Sequence, residues 1–245
     1  MTDCCWPSES RPSIAPSTPT HSRSLTLRRI LSLLVPLTIV TPAWAQEADT
    51  QLWTQANVSK KVAKDVTLTV EGIARWSDNV GGLFHTELGG LVAWDATDSI
   101  EVAIGYRHTT AHNDSGIEPN EERLRQHVVF QLGNGFATRL RLEERFHSEG
   151  GEVGFRLRPQ LRYTHDLGDK GFKLFATHES FVNFNTTDWG QRGGLERVRH
   201  TIGVTVPITE HLDGDFGYLN QYRFGRDGDE DQIEHAISVT MNLDL

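Results

Sequence analysis

Cysteine is almost absent from this chain. Only two occur in 245 residues, Cys4 and Cys5, and both lie in the first 45 residues, as do six of the nine prolines. We expect that segment to be removed on export, so the remaining chain can form no disulfide bond. It also offers no thiolate for catalysis or metal binding.

Long apolar runs are equally scarce, and the one that exists belongs to a predicted signal peptide. Arginines, ending in Arg28 and Arg29, precede an apolar run at residues 30–40, and the small-x-small sequence Ala43-Trp44-Ala45 follows it. We therefore predict that residues 1–45 are an N-terminal extension and a Sec-type signal peptide, cleaved after Ala45. The alternative is a membrane anchor, but about 20 apolar residues are needed for a spanning helix.

Positive charge is in deficit. The whole chain has a formal net charge of −9, and the first 45 residues contain four arginines and two acids, so the part from Gln46 onward carries −11. A protein that binds nucleic acid through its phosphates needs a basic excess. We therefore expect no nucleic-acid partner.

What the chain does have is alternation with a period of two, as in "RLRLEERF" at residues 139–146 and "FRLRPQLRY" at residues 155–163. This period indicates β-strands with two different faces. Eleven segments follow from it: Leu52–Val58, Val66–Ser77, Phe84–Trp94, Ile100–Thr109, Arg123–Leu132, Phe136–Phe146, Val153–Asp166, Phe172–Asn185, Leu195–Val206, Leu212–Phe224 and Ile233–Leu245.

Most of these segments are longer than the usual strand of a soluble protein, about 5–6 residues, and match the 9–11 that cross a bilayer. Short connections alternate with longer polar ones, which is typical of an up-and-down barrel in an outer membrane. We predict a transmembrane antiparallel β-barrel of about 10–12 strands over residues 46–245. Because bacterial single-chain barrels have even strand numbers, ten or twelve is expected. A soluble secreted β-barrel that binds a ligand, with its apolar face inward, is the alternative architecture.

One face of the segments is apolar and the other carries arginine and glutamate. On a barrel wall the apolar face suits lipid, and aromatic residues near strand ends suit the interfacial girdles: Trp76, Trp94, Tyr106, Phe172 and Tyr222. Glu144 and His200 fall on the apolar face, and we expect both near the loop end of their strands.

The charged face is expected to line the lumen. Its predicted members are Glu71, Arg75, Glu87, Glu101, Arg107, Arg123, Arg125, Arg139, Arg141, Glu143, Arg145, Arg156, Arg158, Arg162, Glu179, Arg197, Arg199, Arg223 and Glu234. The arginines form a basic wall, and glutamates of other strands are expected to face it across the lumen. Two interpretations stay open: a filter that selects small anionic solutes, or an Arg–Glu ladder that fills a structural barrel.

Catalysis is not expected. The best candidate for a lipid-modifying hydrolase is His178-x-Ser180 on the apolar face, but positions i and i+2 of a strand lie about 6–7 Å apart, which we take as too far for a hydrogen bond. The acidic loop at residues 225–232 lacks the glycine and glutamate of a calcium loop and is expected to be solvated. We predict no catalytic, metal or cofactor site and no cofactor. Trp189 is expected to lie on an outer loop, as a recognition residue or a rim aromatic.

Three stretches carry a family resemblance: "LWTQANVSKKVAKDVTLTVEG", "LRPQLRYTHDL" and "GYLNQYRFGRDGDEDQIEHAISVTMNLDL". With them the chain resembles the domain-of-unknown-function family 2490 of bacterial outer-membrane β-barrel proteins, from Leu52 to Leu245. The resemblance implies the fold and a Gram-negative outer-membrane location, and no activity. Leu245 departs from the aromatic final residue common in such barrels. The expected partners are outer-membrane lipid and lipopolysaccharide, the barrel-assembly machinery, and small anionic solutes if the lumen is open.

Overall fold

The computed structural model describes residues 48–113, 116–226 and 228–245. The predicted extension and signal peptide lie outside the described residues. The described part is all-β, with strands β1 Ala48–Ala63, β2 Val66–Ser77, β3 Gly82–Thr97, β4 Ile100–Asn113, β5 Gly116–Gly133, β6 Phe136–His147, β7 Gly154–Asp166, β8 Lys173–Asn183, β9 Gly194–Pro207, β10 Leu212–Arg223 and β11 Gln232–Asp244. Each predicted segment coincides with one of these strands. No helix among the described residues is long and apolar enough to cross a membrane.

The eleven strands form one closed barrel in which every strand pairs antiparallel with its neighbours in sequence. Closure is the exception: β1 and β11 pair in parallel, from Ala48 opposite Ile233 to Ser59 opposite Asp244. The expectation of an even strand number is therefore wrong. With an odd number of alternating strands the first and last run in the same direction, so they can close the barrel only by a parallel ladder.

The two ends of the barrel differ in their connections. One end, called the turn end here, carries the connections at residues 64–65, 98–99, 134–135, 167–172 and 208–211. The other, the loop end, carries those at 78–81, 148–153, 184–193 and 224–231. Gly133, Asn134 and Gly135 make the β5–β6 turn with positive φ angles of 82°, 52° and 81°, a backbone that glycine and asparagine tolerate best. The alternation of short and longer connections is thus largely present.

The predicted polar loop at residues 110–122 is wrong, because it is mostly strand. Thr109 pairs with Glu121 and Thr110 with Asn120, so the β4–β5 hairpin rises beyond the predicted strand ends. Polar residues such as Thr110 and Asn120 occupy this part of the ladder, so it lacks the apolar–polar alternation that marks the other strands. For the same reason Tyr106, predicted near a strand end, lies at the middle of β4.

The apolar face points outward and the polar face inward. Leu88, Val70, Ile104 and Ile237 are 59–65% exposed, whereas Arg125 and Glu143 are fully buried. Buried apolar side chains among the described residues are few, and three of them, Ala93, Ala103 and Ala236, are alanines. The barrel is thus inverted relative to a soluble β-cup, whose apolar face would line the interior.

Candidate functional site

A cavity of about 860 Å3 occupies the barrel interior. Every residue predicted for the lumen lies on its wall except Arg125 and Glu143. Those two also point inward, but neighbouring side chains cover them completely. The alternation of the sequence therefore brings the whole predicted set to one interior surface.

One ion-pair cluster joins β2, β3, β4 and β5. Glu71 accepts hydrogen bonds from Arg107 at 2.7 Å and from Arg125 at 2.6 Å. Glu87 accepts one from Arg75 at 2.9 Å and another from Arg107. The glutamates therefore act as bridges between the strands of this part of the wall.

Arg125 can lie flat against this wall because of a glycine. Its Nη2 also contacts the backbone carbonyls of Gly90 and Tyr106, each at 3.4 Å. A Cβ atom at Gly105 would stand 2.6 Å from the Gly90 carbonyl oxygen and 3.3 Å from that Nη2. Gly105 thus leaves the space in which the guanidinium is buried.

A second cluster, called the β6–β9 cluster, surrounds Glu143 and Glu179. Glu143 accepts two hydrogen bonds from Arg156, at 2.9 and 2.6 Å, and one from Arg158 at 2.7 Å. Glu179 accepts from Arg158 at 3.0 Å and from Arg139 at 2.8 Å. Carboxylates of this kind, saturated by charged donors, form the strong class of hydrogen bonds.

The sequence analysis expects the glutamates to face the basic wall from across the lumen, and the structure shows a different arrangement. Glu71 reaches Arg125 three strands away, while Glu179 contacts Arg158 on the next strand. The ion pairs therefore run along the wall and leave the centre of the barrel as a cavity. Glu101 lies on the wall with no ion pair among the described residues.

Two inward aromatic side chains, which the sequence analysis did not single out, support the arginines. Trp53 lies under Arg75 and Arg199, whose Cζ atoms are 4.1 and 4.6 Å from the ring centroid. Phe181 lies under Arg158 at 4.3 Å. Their signal was present in the sequence, because both occupy inward positions of an alternating strand.

The β8–β9 loop at residues 184–193 folds over the loop end. Trp189 stacks on His147, with ring centroids 5.2 Å apart, and Arg145 lies 4.9 Å from the Trp189 ring centroid. Arg145 also donates to the side chain of buried Gln191 at 2.8 Å. Trp189 is thus an aromatic residue at the rim of the barrel, as one of the two expectations has it.

Asp188 attaches this loop to the β6–β7 loop. Its carboxylate accepts hydrogen bonds from the backbone N–H groups of Gly151, at 2.9 Å, and Glu152, at 3.3 Å. These donors hold the pKa of Asp188 below its usual range. The indole N–H of Trp189 donates to the Glu152 carbonyl at 2.7 Å, so the two loops form one cover.

A second cavity of about 660 Å3 lies under this cover at the loop end. Arg145, Arg197 and Arg223 line both cavities, so the two spaces meet at these three guanidinium groups. These arginines therefore lie between the main cavity and the cavity under the cover.

The outer face carries an unexpected row of hydrogen-bonded polar side chains, called the polar chain here: Ser180, His178 and His200. His178 Nε2 lies 3.1 Å from Ser180 Oγ, and His178 Nδ1 lies 2.9 Å from His200 Nε2. Our judgement that His178 and Ser180 are too far apart to bond is wrong, because the two side chains lean toward each other. His200 is also misplaced by the sequence analysis: it pairs with His178 at mid-strand, whereas Glu144 does lie near the loop end.

The structure describes the acidic loop at residues 225–232 only in part. Asp227 lies outside the described residues, and Asp231 accepts hydrogen bonds from the Tyr222 hydroxyl and the Gly225 N–H. Across the described part of the chain, no group of three or more histidine, cysteine or acidic residues is arranged to hold a metal ion.

An exposed apolar exterior around a charged, hollow interior defines the class: a closed β-barrel with its polar face inside. Comparison with known proteins identifies the family. Residues 50–232 match the family described as "Protein of unknown function (DUF2490)", and the chain belongs to that family.

One relative and one solved structure are also similar to this chain. The chain is 32% identical over 200 residues to an uncharacterized protein of Methylorubrum extorquens. The aligned region covers 79% of this chain and 86% of that protein. It is also similar to a solved structure described as "Unveiling the Mechanism Behind the in-meso Crystallization of Membrane Proteins", with 12% identity, a TM-score of 0.39, and coverage of 80% of this chain and 81% of that one. A TM-score this low does not establish a shared fold.

Proposed function

We propose that this protein is an outer-membrane β-barrel whose charged interior forms a narrow passive passage for small solutes, with a preference for anions. The cavity lined by arginine and glutamate carries the proposal. Lipid and lipopolysaccharide would surround the barrel, and the barrel-assembly machinery would insert it after the predicted leader is removed.

The support for the membrane location is the distribution of polarity. Water would meet exposed leucine, valine and isoleucine around the wall, while fully buried Arg125 and Glu143 lie inside. A bilayer removes the cost of exposing apolar side chains to water, because lipid surrounds the wall. A water-filled lumen lowers the cost of the inward charges, because water can solvate them. Strands of 11–18 residues are long enough for the crossing.

The support for a passage is that cavity space extends along the barrel. The main cavity is lined by Asn57 and Asn242 toward the turn end and by Arg145 and Arg223 toward the loop end. Guanidinium groups dominate its wall, which favours anions. The rival interpretation, a structural barrel closed by its ion pairs, would hold if those side chains leave no continuous path.

Planar-bilayer recording tests the passage. We expect small, salt-dependent conductance steps with anion preference. Arg162→Gln combined with Arg223→Gln should shift the reversal potential toward cations, since these side chains are 34% and 39% exposed and line the cavity. Asp166→Asn, at the 79% exposed turn-end residue Asp166, is the control and should leave the reversal potential unchanged. No conductance from protein that shows a folded barrel's heat-modifiable gel shift would leave only the structural barrel.

A second candidate function, hydrolysis of a lipid ester, is favoured by the polar chain on the outer face. If His178 carries its proton on Nδ1, it can donate to His200 Nε2 and accept the Ser180 hydroxyl at Nε2, which is the arrangement a general base needs. The pairing of β7 with β8 is interrupted beside Ser180, at Arg158 and Pro159.

The step would follow acyl transfer. Ser180 Oγ adds to the ester carbonyl carbon while its proton passes to His178 Nε2, and the departing alcohol takes that proton. Water then cleaves the acyl-serine by the same route, which releases the fatty acid and restores Ser180. His200 is a positioning residue in this scheme.

Titration of fatty acid released from phospholipid micelles tests this candidate. Ser180→Ala should abolish release, whereas Thr138→Ala, a hydroxyl removed from β6, should not. Release that survives Ser180→Ala, or none from the unaltered protein, would reject the site.

A further inference from the structure

The β6–β9 cluster contains more positive charge than its carboxylates can neutralise. Two carboxylates, Glu143 and Glu179, stand among five guanidinium groups: Arg139, Arg141, Arg156, Arg158 and Arg199. Both carboxylates are already taken up by hydrogen bonds from Arg139, Arg156 and Arg158. Arg156 has a further partner in Glu196, at 3.4 Å.

Arg141 is the arginine left over. It is 6% exposed, yet it makes no hydrogen bond among the described residues, and its closest carboxylate oxygen, on Glu143, is 3.7 Å from Nη1. Its Nε has no hydrogen-bond partner in the part of the chain that the structure describes. A buried guanidinium without a hydrogen-bonded counter-charge is costly, since burial removes the water that would otherwise solvate it.

Two neighbours of Arg141 each have a buried side-chain nitrogen that has no hydrogen-bond partner among the described residues. His127 lies opposite Arg141 in the β5–β6 ladder, is 5% exposed, and has an unpartnered Nε2. Arg139, two residues away on the same face, has an unpartnered Nε. All three side chains line the main cavity.

We propose that Arg141, His127 and Arg139 form a binding site for one small inorganic anion inside the barrel. The anion supplies the acceptor that the wall lacks: the fork of Arg141 holds it, His127 Nε2–H donates to it, and Arg139 adds charge and a third donor. The physiological use of this site rests on the proposed passage. In that passage the site would be the place where an anion binds during transit.

Arg125 does not compete for this role. Its Nε and Nη1 are also unpartnered, but it is fully covered and does not reach the cavity wall. An anion in the cavity can therefore reach Arg141 but not Arg125.

Chloride binding to the detergent-purified protein, followed by 35Cl NMR line broadening, tests the site. We expect a saturable component that nitrate, phosphate or sulfate displaces. Arg141→Gln should weaken it at least about tenfold, the usual worth of a hydrogen bond to a charged group. Arg162→Gln is the matched control: it removes the same charge from the same cavity, but Arg162 already has a partner, Asp215 at 3.1 Å.

Equal losses in both variants would mean a diffuse positive field and would overturn the site. If Arg141→Gln does not fold, the unaltered protein decides: its unfolding midpoint should rise saturably with chloride and not with bulky gluconate, because only a bound anion stabilises the folded state. A midpoint with no such dependence would also overturn the site.

The chloride-binding experiment and the conductance experiment test the site and the passage separately. Saturable binding without conductance would keep the site and reject the passage. Conductance without saturable binding would keep the passage and reject the site.

Discussion

Neutralising Glu143 should be among the most damaging single changes in the barrel wall. Glu143 is fully buried and accepts three hydrogen bonds, from Arg156 at 2.9 and 2.6 Å and from Arg158 at 2.7 Å. Glu143→Gln removes the charge and places an amide NH2 among guanidinium donors. Removing one partner of a buried ion pair typically costs about 3–5 kcal/mol, because the other charge remains buried.

The assay is urea unfolding of the refolded barrel in lipid vesicles, followed by tryptophan fluorescence. Glu234→Gln is the control with the same chemistry, since Glu234 is 16% exposed in its side chain and lies 3.5 Å from the 39% exposed Arg223. We expect that variant to lose less, because glutamine keeps an oxygen acceptor for the Gln221 amide and the Arg223 guanidinium is partly solvated. The free energy of unfolding of Glu143→Gln should therefore fall by more than that of Glu234→Gln.

A double variant tests whether charge repulsion within the β6–β9 cluster causes this loss of stability. In Glu143→Gln the guanidinium groups of the β6–β9 cluster repel one another with one carboxylate left, so adding Arg141→Gln should restore stability. Two like charges roughly 6 Å apart repel by about 2–3 kcal/mol at an effective dielectric constant of 20. Two results would show that charge balance does not stabilise this cluster: a cost of Glu143→Gln no greater than that of Glu234→Gln, or a further loss of stability when Arg141→Gln is added to Glu143→Gln.

Two other changes probe the wall and the cover. Gly105→Ala should destabilise the barrel by about 1–3 kcal/mol in the same urea assay, because the new Cβ would stand 2.6 Å from the Gly90 carbonyl oxygen; an unchanged midpoint would show that the wall can yield there. The lowered pKa of Asp188 means that its carboxylate anchors the β8–β9 loop fully above its ordinary value of 3.8, and that the anchor is lost only as the pH falls through the lower folded value. Hydrogen exchange at residues 184–193, corrected for the intrinsic pH dependence, should thus show nearly constant protection from pH 7 down to pH 4, where an unshifted aspartate would already be partly protonated. Asp188→Asn should lower that protection throughout, and a marked fall between pH 5 and pH 4 would contradict the lowered pKa.

The polar chain on the outer face shows where spacing along a strand misleads. The distance between alternate Cα atoms suggested that His178 and Ser180 cannot bond, yet their side chains meet at 3.1 Å. His200 joins them from the neighbouring strand, at a register that the sequence does not contain. Side-chain direction, and not backbone spacing alone, decides such contacts.

The sequence by itself determined the β-strands, their two faces and the set of inward charges, because alternation is a local property of the chain and each strand repeats it. Only the tertiary structure decided the odd number of strands with its parallel closure, since that depends on how the first and last strands meet. The pairing of charges was likewise outside the reach of the sequence. Which glutamate neutralises which arginine follows from the ladder register across several strands, and so does the one guanidinium, Arg141, that is left without a hydrogen-bonded partner in the described part of the barrel.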